Sequence, residues 1–460
     1  MTLDVYLDSL ADKSIAVVGY GVSNAPLTEL LLARGCDVTV CDKRSEEQFE
    51  SAEKLKAKGA KLRLGEDYLE DLHEDVIFRT PGLHPFTPQL QKAQERGSIL
   101  TSEMEAFFKV CPCHTIAITG SDGKTTTSTL IAKLLEASGH TVFLGGNIGT
   151  PLLDKASEMK PEDFAVLELS SFQLHSMYCK PEIAVITNIS PNHLDVHPDL
   201  GDYVNAKRGI FLNQDESCTL VLNAEDPHTP EFESQAKAKI RHFSHLHSVA
   251  SGCFCVDELI YSAHNYEVRE LMPAAGILIP GLHNVENYMA AYAACEDFIT
   301  DSAFRKVAHS FPGVPHRIEL IRERNGVKYY NDSIASSPTR TIAGLRCFTK
   351  VKPILVAGGH DKHIPFDDLG MEIVERVKAL YLTGETAERI RQAVLDTPGY
   401  NRLTLPIFVI DDFKEAVLKA AESAQEGDVV ILSPACSSFD KFKNFVERGN
   451  TFREIVLSLE

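Results

Sequence analysis

The feature that most constrains the fold lies at residues 119–127, which read TGSDGKTTT and follow the apolar run TIAIT. This order predicts a strand, a glycine loop and a helix, a geometry that binds phosphate through backbone N–H groups. Gly120 and Gly123 allow the backbone to approach a ligand closely. Lys124 is placed to reach terminal phosphates, and the hydroxyl of Thr125 suits Mg²⁺. The loop is a shortened GxxGKT form of the usual GxxxxGK[ST] pattern. It predicts a nucleotide site, with an ordinary strand-to-helix turn as the alternative.

The composition is that of an ordinary globular protein with several domains. The chain has 460 residues, of which 44% are hydrophobic and 24% are charged, and this length is large for one hydrophobic core. No apolar run approaches the length of a membrane span, and the acidic start MTLDVYLDSLADK lacks the basic residues that begin a signal peptide. We therefore expect a cytoplasmic protein that does not insert into a membrane.

Charge and cysteine usage point to the same compartment. The formal net charge of −19 disfavours nucleic acids and acidic membranes as partners, and the acidic surface favours a monomer. The eleven cysteines show no paired spacing, and Cys111 and Cys113 are too close for a CxxC redox or zinc motif. Reduced thiols in a cytosolic protein are therefore expected.

Apolar runs alternate with helical stretches, which predicts α/β layers with parallel sheets. The first of three sections opens with a strand at Ile15–Val18, a Gly-Tyr-Gly turn and a helix, and its second strand, Asp37–Cys41, ends at Asp42. An acidic residue about twenty positions after a glycine turn is typical of a Rossmann-like fold. Because Asn24 occupies the third glycine position, a nucleotide other than NAD is favoured, and a nicotinamide cofactor is the alternative.

The remaining sections continue the α/β pattern. The second section carries the phosphate loop, and its short β-like runs at 218–280 predict a small subsidiary sheet. The third section follows FPGVPHR, where two prolines and a glycine mark a junction, and it shows another doubly wound pattern. The predicted domains are 1–101, 102–313 and 314–460.

Several polar residues at predicted strand ends are candidates for chemistry. Glu168 ends a buried strand and could hold a metal-bound water beside a nucleotide, with a capping acid as the alternative. The sequence NHLDVH places His193, Asp195 and His197 at alternate positions, which suits either a metal site or a plain polar loop. By its sequence context alone, Lys207 is predicted to be a solvated helical lysine.

Three candidates lie in the third section. His316 and Arg317 at the junction could meet phosphate or form a salt bridge between domains. The Asn331–Ser333 segment ends a strand, where an Asx turn or helix cap is the alternative to a binding role. The last motif, SPACSSFDKFKNFVERG, combines hydroxyls with a helix start, which suits a carboxylate ligand.

Ten short motifs along the chain, taken together, indicate a protein family more specifically than any one of them does. In order along the chain they are TGSDGKTTT, GGNIG, ELSSFQL, NISPNHLD, AKRGIF, GLHNVEN, PHR, NDS, GGHDK and SPACSSFDKFKNFVERG. Together they resemble the Mur ligases of peptidoglycan synthesis. The last motif most favours the branch that adds D-glutamate to UDP-N-acetylmuramoyl-L-alanine.

The resemblance implies one domain for the UDP-sugar, one for ATP and a mobile C-terminal domain for the amino acid. It implies that ATP phosphorylates the muramoyl-alanine carboxylate and that the D-glutamate amine attacks the acyl phosphate, which yields an amide, ADP and phosphate. Two Mg²⁺ sites are expected. The absence of an evident Ser-His-Asp or Cys-His arrangement in the sequence agrees with catalysis by positioning and charge neutralisation.

The resemblance also implies a role for each matching position. The residues that would bind ATP are Gly120, Ser121, Asp122, Gly123, Lys124, Thr125, Thr126, Asn284, Asn287, Arg317 and Asp332. Those that would bind the UDP-sugar substrate are Ser23, Asp42, Lys43, Arg44, Thr80, Asn147 and His193. Those that would surround D-glutamate are Ser336, Lys362, Ser438, Phe439 and Phe445. The metal ligands would be Thr125, Glu168, His193 and Lys207 as a carbamate, and the catalytic residues would be Lys124, Glu168, His193 and Lys207.

Departures from the family pattern and rival functions stay open at this point. Many relatives have NDSKATN where this chain has NDSIASS, so Ile334 replaces a lysine and Lys362 or another cation must compensate. A sister ligase for L-alanine or a diamino acid, or a folylpolyglutamate synthase, is the nearest rival. A nucleotide-switch binding protein and a nicotinamide oxidoreductase are rivals from other classes.

Overall fold

A computed structural model describes residues 1–147, 150–191 and 197–459. It confirms the predicted α/β class, because three sheets follow one another along the chain and helices alternate with their strands. The inner strands are buried along nearly their whole length. Continuous burial is expected of parallel strands that have helices on both faces.

The N-terminal sheet has five parallel strands in the order β3-β2-β1-β4-β5. The strands are β1 (Ser14–Val18), β2 (Asp37–Asp42), β3 (Lys61–Leu64), β4 (Val76–Arg79) and β5 (Ile99–Thr101). The helices are α1 (Leu3–Asp8), α2 (Asn24–Ala33), α3 (Ala52–Ala57), α4 (Pro88–Glu95) and α5 (Glu103–Val110). The chain moves outward from β1 on one side and returns to β4 on the other, which creates a switch point between these two strands.

The central sheet has nine strands in the order β14-β13-β12-β11-β10-β9-β6-β8-β7. The strands are β6 (His114–Thr119), β7 (Val142–Gly146), β8 (Phe164–Glu168), β9 (Ile183–Ile186), β10 (Thr219–Asn223), β11 (Lys239–Ser244), β12 (Gly252–Val256), β13 (Leu259–His264) and β14 (Glu267–Pro273). The α-helices are α6 (Lys124–Ala137), α7 (Ser171–Leu174), α8 (Leu200–Arg208), α9 (Thr229–Gln235), α10 (Leu282–Cys295) and α11 (Asp301–Ser310), and two short 3₁₀ helices lie at Leu153–Lys155 and Ala274–Gly276. A second switch point lies between β6 and β9.

The strands predicted at 218–280 as a subsidiary sheet differ from that expectation in one respect. They extend the central sheet, because β10 pairs with β9 in parallel and β11 and β12 follow in the same direction. Beyond β12 the pairing becomes antiparallel, since β13 pairs with β12 and β14 pairs with β13 in this way, each after a tight turn. Short β-like runs indicate where strands lie but not which strands pair. The sequence therefore did not show that these strands continue the central sheet.

The C-terminal sheet has six strands in the order β15-β16-β20-β17-β18-β19. The strands are β15 (Glu319–Arg324), β16 (Val327–Asn331), β17 (Ile354–Ala357), β18 (Ala379–Leu382), β19 (Ile407–Val409) and β20 (Val429–Leu432). The helices are α12 (Pro338–Leu345), α13 (Asp367–Arg376), α14 (Ala387–Leu395), α15 (Phe413–Ser423) and α16 (Phe445–Ser458). The doubly wound pattern holds for five strands, and β15 joins the edge antiparallel through a tight hairpin. Alternate residues of β17 pack into separate cores on the two faces of this sheet.

The chain divides into two compact units. The first comprises Met1–Ala274 with Glu286–Val307, and the second comprises Ala275–Val285 with the chain from Ala308 onward. The first unit therefore contains both the N-terminal and the central sheet. Among the described residues, no helix is both long and apolar enough to cross a membrane.

Candidate active site

The phosphate loop joins β6 to α6 at the switch point of the central sheet. Its two glycines have left-handed backbone torsions, with φ of 146° at Gly120 and 79° at Gly123. A Cβ on Gly120 would lie 1.9 Å from the Thr187 hydroxyl oxygen, and one on Gly123 would lie 2.4 Å from Oδ1 of Asn287. Neither position tolerates a side chain, so the glycines shape the loop as the sequence predicts.

Asn188, at the end of β9, holds the middle of this loop. Its backbone carbonyl accepts from the N–H of Ser121 at 2.9 Å, and its side-chain oxygen accepts from the N–H of Asp122 at 2.9 Å. These two amides are thus engaged inside the protein. The part of the loop best suited to bind an anion is therefore the N-terminal turn of α6, where Thr126 also lies and where the helix dipole is positive.

Lys124 begins α6 and folds back over the loop. Its ammonium group donates to the carbonyl oxygens of Gly120 and Ser121, both at 2.9 Å. The lysine therefore lies at the rim of the loop, within reach of any anion that is bound at the N-terminal end of α6. This is the position that its place in the motif predicts.

Glu168 and Thr125 are brought together as the sequence predicts for two ligands of one metal ion. Glu168 is buried at the end of β8, and its Oε2 accepts from the hydroxyl of Thr125 at 2.8 Å. Its Oε1 accepts from the side-chain amide of Asn147 at 3.1 Å. Carboxylate and hydroxyl oxygens are donors that Mg²⁺ prefers, so this pair fits the ion.

Lys207 is buried, with only 1% of its surface exposed, so the prediction of a solvated lysine was wrong. Its Nζ donates to the Gly120 carbonyl at 2.7 Å and lies 4.5 Å from the centre of the Tyr203 ring. Tyr203 precedes it by one turn of α8 and lies 3.0 Å from the Ser121 hydroxyl. Burial, and secondly the charge of Lys124, hold the pKa of Lys207 well below its usual value.

The NHLDVH segment lies only partly within the described residues. His193 and Asp195, both predicted as possible metal ligands, lie outside them. His197 is buried, where its Nδ1 lies 2.6 Å from Asp202 and its Nε2 lies 3.0 Å from the Ser171 hydroxyl. His197 therefore bonds to side chains of α7 and α8.

A second group of predicted residues gathers at the switch point of the N-terminal sheet. Asp42, at the end of β2, accepts from the N–H of Tyr20 at 2.9 Å and forms a two-pronged pair with the Arg44 guanidinium. Burial opposes ionisation of Asp42, but these bonds outweigh it and keep its pKa below the usual value. Thr80 packs so closely on Gly19 that a Cβ there would lie 2.6 Å from its methyl group.

The other two predicted residues of this group are less constrained. Ser23 is the N-cap of α2 and its side chain makes no capping bond. The side chain of Lys43 is exposed. Both follow strand ends of the same sheet, where open α/β sheets bind ligands.

The predicted nucleotide residues on α10 lie on the two sides of the boundary between the units. Asn287 belongs to the first unit, where its side-chain oxygen accepts from the Thr127 hydroxyl at 3.2 Å. Asn284 belongs to the second unit, where its amide donates to the Pro280 carbonyl at 2.6 Å.

In the second unit, Asp332 directly follows β16. It accepts from the Ser433 hydroxyl at 2.7 Å, and its burial raises its pKa to about 7. The Nε of Arg317 is buried and has no hydrogen-bond partner among the described residues. An unpartnered buried guanidinium nitrogen is costly, which is consistent with a site built for an anion.

The residues predicted around D-glutamate differ in exposure. Ser438 is buried and Ser336 is half-buried, whereas Lys362 and Phe439 are exposed and Phe445 stands at the start of α16. Aromatic rings, a lysine and two hydroxyls are suitable groups for a small dicarboxylate.

Comparison with known proteins decides the family. Three family descriptions match consecutive parts of the chain, namely the Mur ligase MurD-like N-terminal domain at 13–102, the Mur ligase middle domain at 118–295 and the Mur ligase glutamate ligase domain at 316–436. The chain is also 49% identical to the UDP-N-acetylmuramoylalanine--D-glutamate ligase of Acetivibrio thermocellus, over 100% of this chain and 99% of that protein. The chain belongs to the Mur ligase family.

Further relatives of this Mur ligase agree. The protein of the same name from Ruminiclostridium cellulolyticum is 48% identical over 100% of this chain and 99% of its own length. Among solved structures, the UDP-N-acetylmuramate-alanine ligase of Thermotoga maritima superposes with a TM-score of 0.56 at 19% identity, over 97% of this chain and 99% of that one. A UDP-N-acetylmuramoyl-L-alanyl-D-glutamate--2,6-diaminopimelate ligase gives 0.57 at 19% identity, over 97% and 92%. At such identities the structures support the fold alone.

Sequence reasoning missed two arginines that organise this Mur ligase. Arg79, buried at the end of β4, donates to the Leu83 carbonyl at 2.6 Å and to the Phe172 carbonyl at 3.0 Å. It thereby ties the loop after β4 to α7, and burial lowers its pKa to about 10. Arg448, buried on α16, donates to the Ser333 carbonyl at 2.9 Å. The only signal in the sequence was an arginine inside an apolar strand or an apolar helix face.

Proposed function

We propose that this Mur ligase adds D-glutamate to UDP-N-acetylmuramoyl-L-alanine in an ATP-dependent reaction that forms an amide through an acyl-phosphate intermediate. The observation that carries the proposal is the full-length identity of 49% to a protein named for that reaction. The contact of Thr125 with Glu168 beside Lys124 and Lys207 supplies the phosphate-binding chemistry that such a ligase needs.

We assign a separate task to each predicted domain. Residues 1–101 would bind the UDP-sugar, because Asp42, Arg44 and Thr80 meet at a switch point. Residues 102–313 would bind ATP at the phosphate loop, and residues 314–460 would bind the amino acid and close on the ligands. Arg317 and Asp332 would contribute to the nucleotide site from the last region.

The residues present fit ATP and Mg²⁺. When bound, these groups supply the phosphoryl transfer that activates the substrate carboxylate. The N-terminal turn of α6 and the ammonium of Lys124 would hold the phosphates, and Thr125 with Glu168 would hold one Mg²⁺. Lys207 and His193 are proposed for the second ion, and Asn147 and His193 would lie near the muramoyl group.

We further propose that Lys207 carries a carbamate. Its depressed pKa favours the neutral amine, and the lone pair of a neutral amine attacks CO₂ to form an N–C bond with loss of one proton. The product is an anion, which the neighbouring Lys124 would stabilise. Protein equilibrated with ¹³C-bicarbonate should show a carbamate carbon signal in NMR, and the signal should be absent from Lys207→Ala.

For D-glutamate, we propose contacts to Ser336, Lys362, Ser438, Phe439 and Phe445. Since Ile334 stands where relatives carry a lysine, Lys362 would supply the positive charge for a carboxylate. Its side chain is exposed, and no hydrogen bond or ion pair with another described residue competes with this role.

We also propose a cytoplasmic monomer. All eleven cysteines are free thiols, which is typical of proteins from reducing compartments. Light scattering after size-exclusion chromatography should give the mass of one chain, 50.8 kDa.

The test is ATP-dependent phosphate release with UDP-N-acetylmuramoyl-L-alanine and one of four amino acids: D-glutamate, L-glutamate, L-alanine or meso-diaminopimelate. Release that depends on D-glutamate alone is expected. Release with another amino acid would keep the ligase and overturn the proposed specificity. If no amino acid stimulates release, a folate substrate and then nucleotide binding without ligation become the hypotheses to test.

A further inference from the structure

Two unpartnered imidazole nitrogens lie inside the first unit, away from the Thr125–Glu168 pair. Nε2 of His84, in the loop after β4, and Nδ1 of His175, at the end of α7, are both buried without a hydrogen-bond partner among the described residues. The side chain of His175 is 7% exposed. Buried polar atoms without partners are rare in folded proteins and commonly indicate a missing ligand, ion or water.

A carboxylate completes this group. Asp202, in the first turn of α8, has its oxygens 2.9 and 3.0 Å from Nε2 of His175. One nitrogen from each of the two histidines and one oxygen of Asp202 all lie within 4.8 Å of one another. Two ligands of one tetrahedral zinc ion are about 3.3 Å apart, so small side-chain movements would bring all three atoms to bonding distance.

We propose that His84, His175 and Asp202 form a binding site for a divalent transition-metal ion, with Zn²⁺ as the preferred occupant. Two imidazoles and one carboxylate match the donor types that Zn²⁺ prefers, whereas the oxygen-rich Thr125–Glu168 pair suits Mg²⁺. Three protein ligands would leave the fourth position of the ion to water.

The surroundings hold these ligands in place. Nδ1 of His197 lies 2.6 Å from Oδ2 of Asp202 and thus helps to orient the carboxylate. The His84 and His175 rings are 5.1 Å apart, and Phe86 packs edge-on against His175 at 5.0 Å. Partners that orient the ligands and an apolar wall are typical of metal sites.

Metal binding would replace two contacts. An ion on Nε2 of His175 would take the place of its hydrogen bond to Asp202, whose oxygens lie 2.9 and 3.0 Å away. The N–H of Phe86 lies 3.3 Å from Nδ1 of His84, at the long end of the hydrogen-bond range. A metal on Nε2 would place the proton on Nδ1, so this contact would be lost. The bound ion would in return fasten the loop after β4, which contains Thr80, to α8, which carries Lys207.

Zinc stoichiometry tests the site without measuring activity. Full-length protein, stripped with a chelator and dialysed against Zn²⁺ in excess Mg²⁺, should retain one zinc ion per chain. His84→Gln and His175→Gln should each lose it, whereas His73→Gln, an exposed histidine of the same sheet domain, should retain it. Retention of zinc by both site variants would overturn the proposal, as would the absence of zinc from the unaltered protein.

Cobalt absorption identifies the ligands independently. Co²⁺ in this site should give the visible bands of a tetrahedral nitrogen and oxygen site, without a charge-transfer band from thiolate. A thiolate band that disappears in Cys111→Ser would assign the metal to the neighbouring Cys111 and Cys113, whose sulfurs are 3.5 Å apart, and would overturn the proposal. If His175→Gln fails to fold, His84→Gln carries the test, since His84 lies in a partly exposed loop.

Discussion

Two sheets of the first unit place polar residues at a switch point, yet the two places differ in chemistry. Between β1 and β4, the charged residues Asp42 and Arg44 bond to each other and to the backbone of Tyr20. Between β6 and β9, the side chains of Lys124 and Lys207 converge on the carbonyl oxygen of Gly120. The same topology therefore holds an acid–base pair in one sheet and two crowded lysines in the other.

This difference separates binding from catalysis. Asp42 and Arg44 already neutralise each other. Such a pair can bind a ligand, but it stabilises little of the charge that develops in a transition state. A cation such as the Lys124 ammonium group, placed where negative charge develops, stabilises the transition state more than the ground state, and that gain raises the rate. The following predictions test this separation, from the largest expected effect to the smallest.

Lys124→Ala should have the largest effect. Loss of the ammonium group removes a charge-assisted bond to the phosphates, so phosphate release should fall by about 10³-fold or more. The matched control is Lys133→Ala on the same helix, whose side chain pairs with Glu136 in solvent, and it should retain normal activity. Near-normal turnover by Lys124→Ala would contradict the assignment of the phosphate loop to ATP binding.

Lys207→Ala should lose activity by about 10²- to 10³-fold, because the buried side chain proposed to carry the carbamate beside the phosphate loop is missing. If the lysine acts as a carbamate, acetate or another small carboxylate should restore part of the rate. Lys124→Ala should not respond to acetate, which makes it the control. Full activity of Lys207→Ala without acetate would contradict any catalytic role for this buried lysine.

Asp42→Asn should affect binding rather than rate. The variant weakens the pair with Arg44, so the KM for the UDP-sugar should rise about tenfold while kcat changes by less than about twofold. The control is Asp37→Asn, at the exposed start of the same strand. A fall in kcat with an unchanged KM would remove the distinction between the two switch points.

Glu103→Gln should change only the pH dependence of stability. Glu103 lines a small cavity with Ser23 and Gln173, between the two sheets, and its burial raises its pKa to about 7. A carboxyl group with a raised folded pKa stabilises the protein at low pH, and this contribution is lost as the pH rises through 7.

The glutamine variant lacks that loss, so its free energy of unfolding should exceed that of the unaltered protein by about 3 kcal/mol at pH 8 and by little at pH 4. Denaturant unfolding at both values measures this difference. Glu105→Gln on the same helix is the control. An equal gain at both pH values would show that Glu103 does not titrate as described.

Much of the phosphate site was predictable because it is local in sequence. One short segment contains Gly120, Gly123, Lys124 and Thr125. Their spacing predicts a tight glycine loop that is followed by the start of a helix. Glu168 was predictable as a strand-end acid, since parallel strands end at the same edge of a sheet. The resemblance of ordered motifs extended these expectations to the family, which the comparisons confirmed.

Other features depend on contacts between distant segments. Lys207 is buried because α8 packs on the phosphate loop. Its place in a polar helical segment does not indicate this packing. The role of Arg79 depends on α7, which lies 93 residues further along the chain. Likewise, the extension of the central sheet through β10 depends on which strand becomes its neighbour.

Short-range order in this protein thus follows from its sequence alone: the α/β alternation, the two glycine turns and the candidate ligands at strand ends. Steric limits on the backbone and hydrophobic periodicity act over a few residues, so a single sequence is enough to detect them. Only the tertiary structure decided which of those ligands meet, which charges are buried and which histidines lack a partner. These properties depend on desolvation and on the approach of segments far apart in sequence, and no local pattern encodes them.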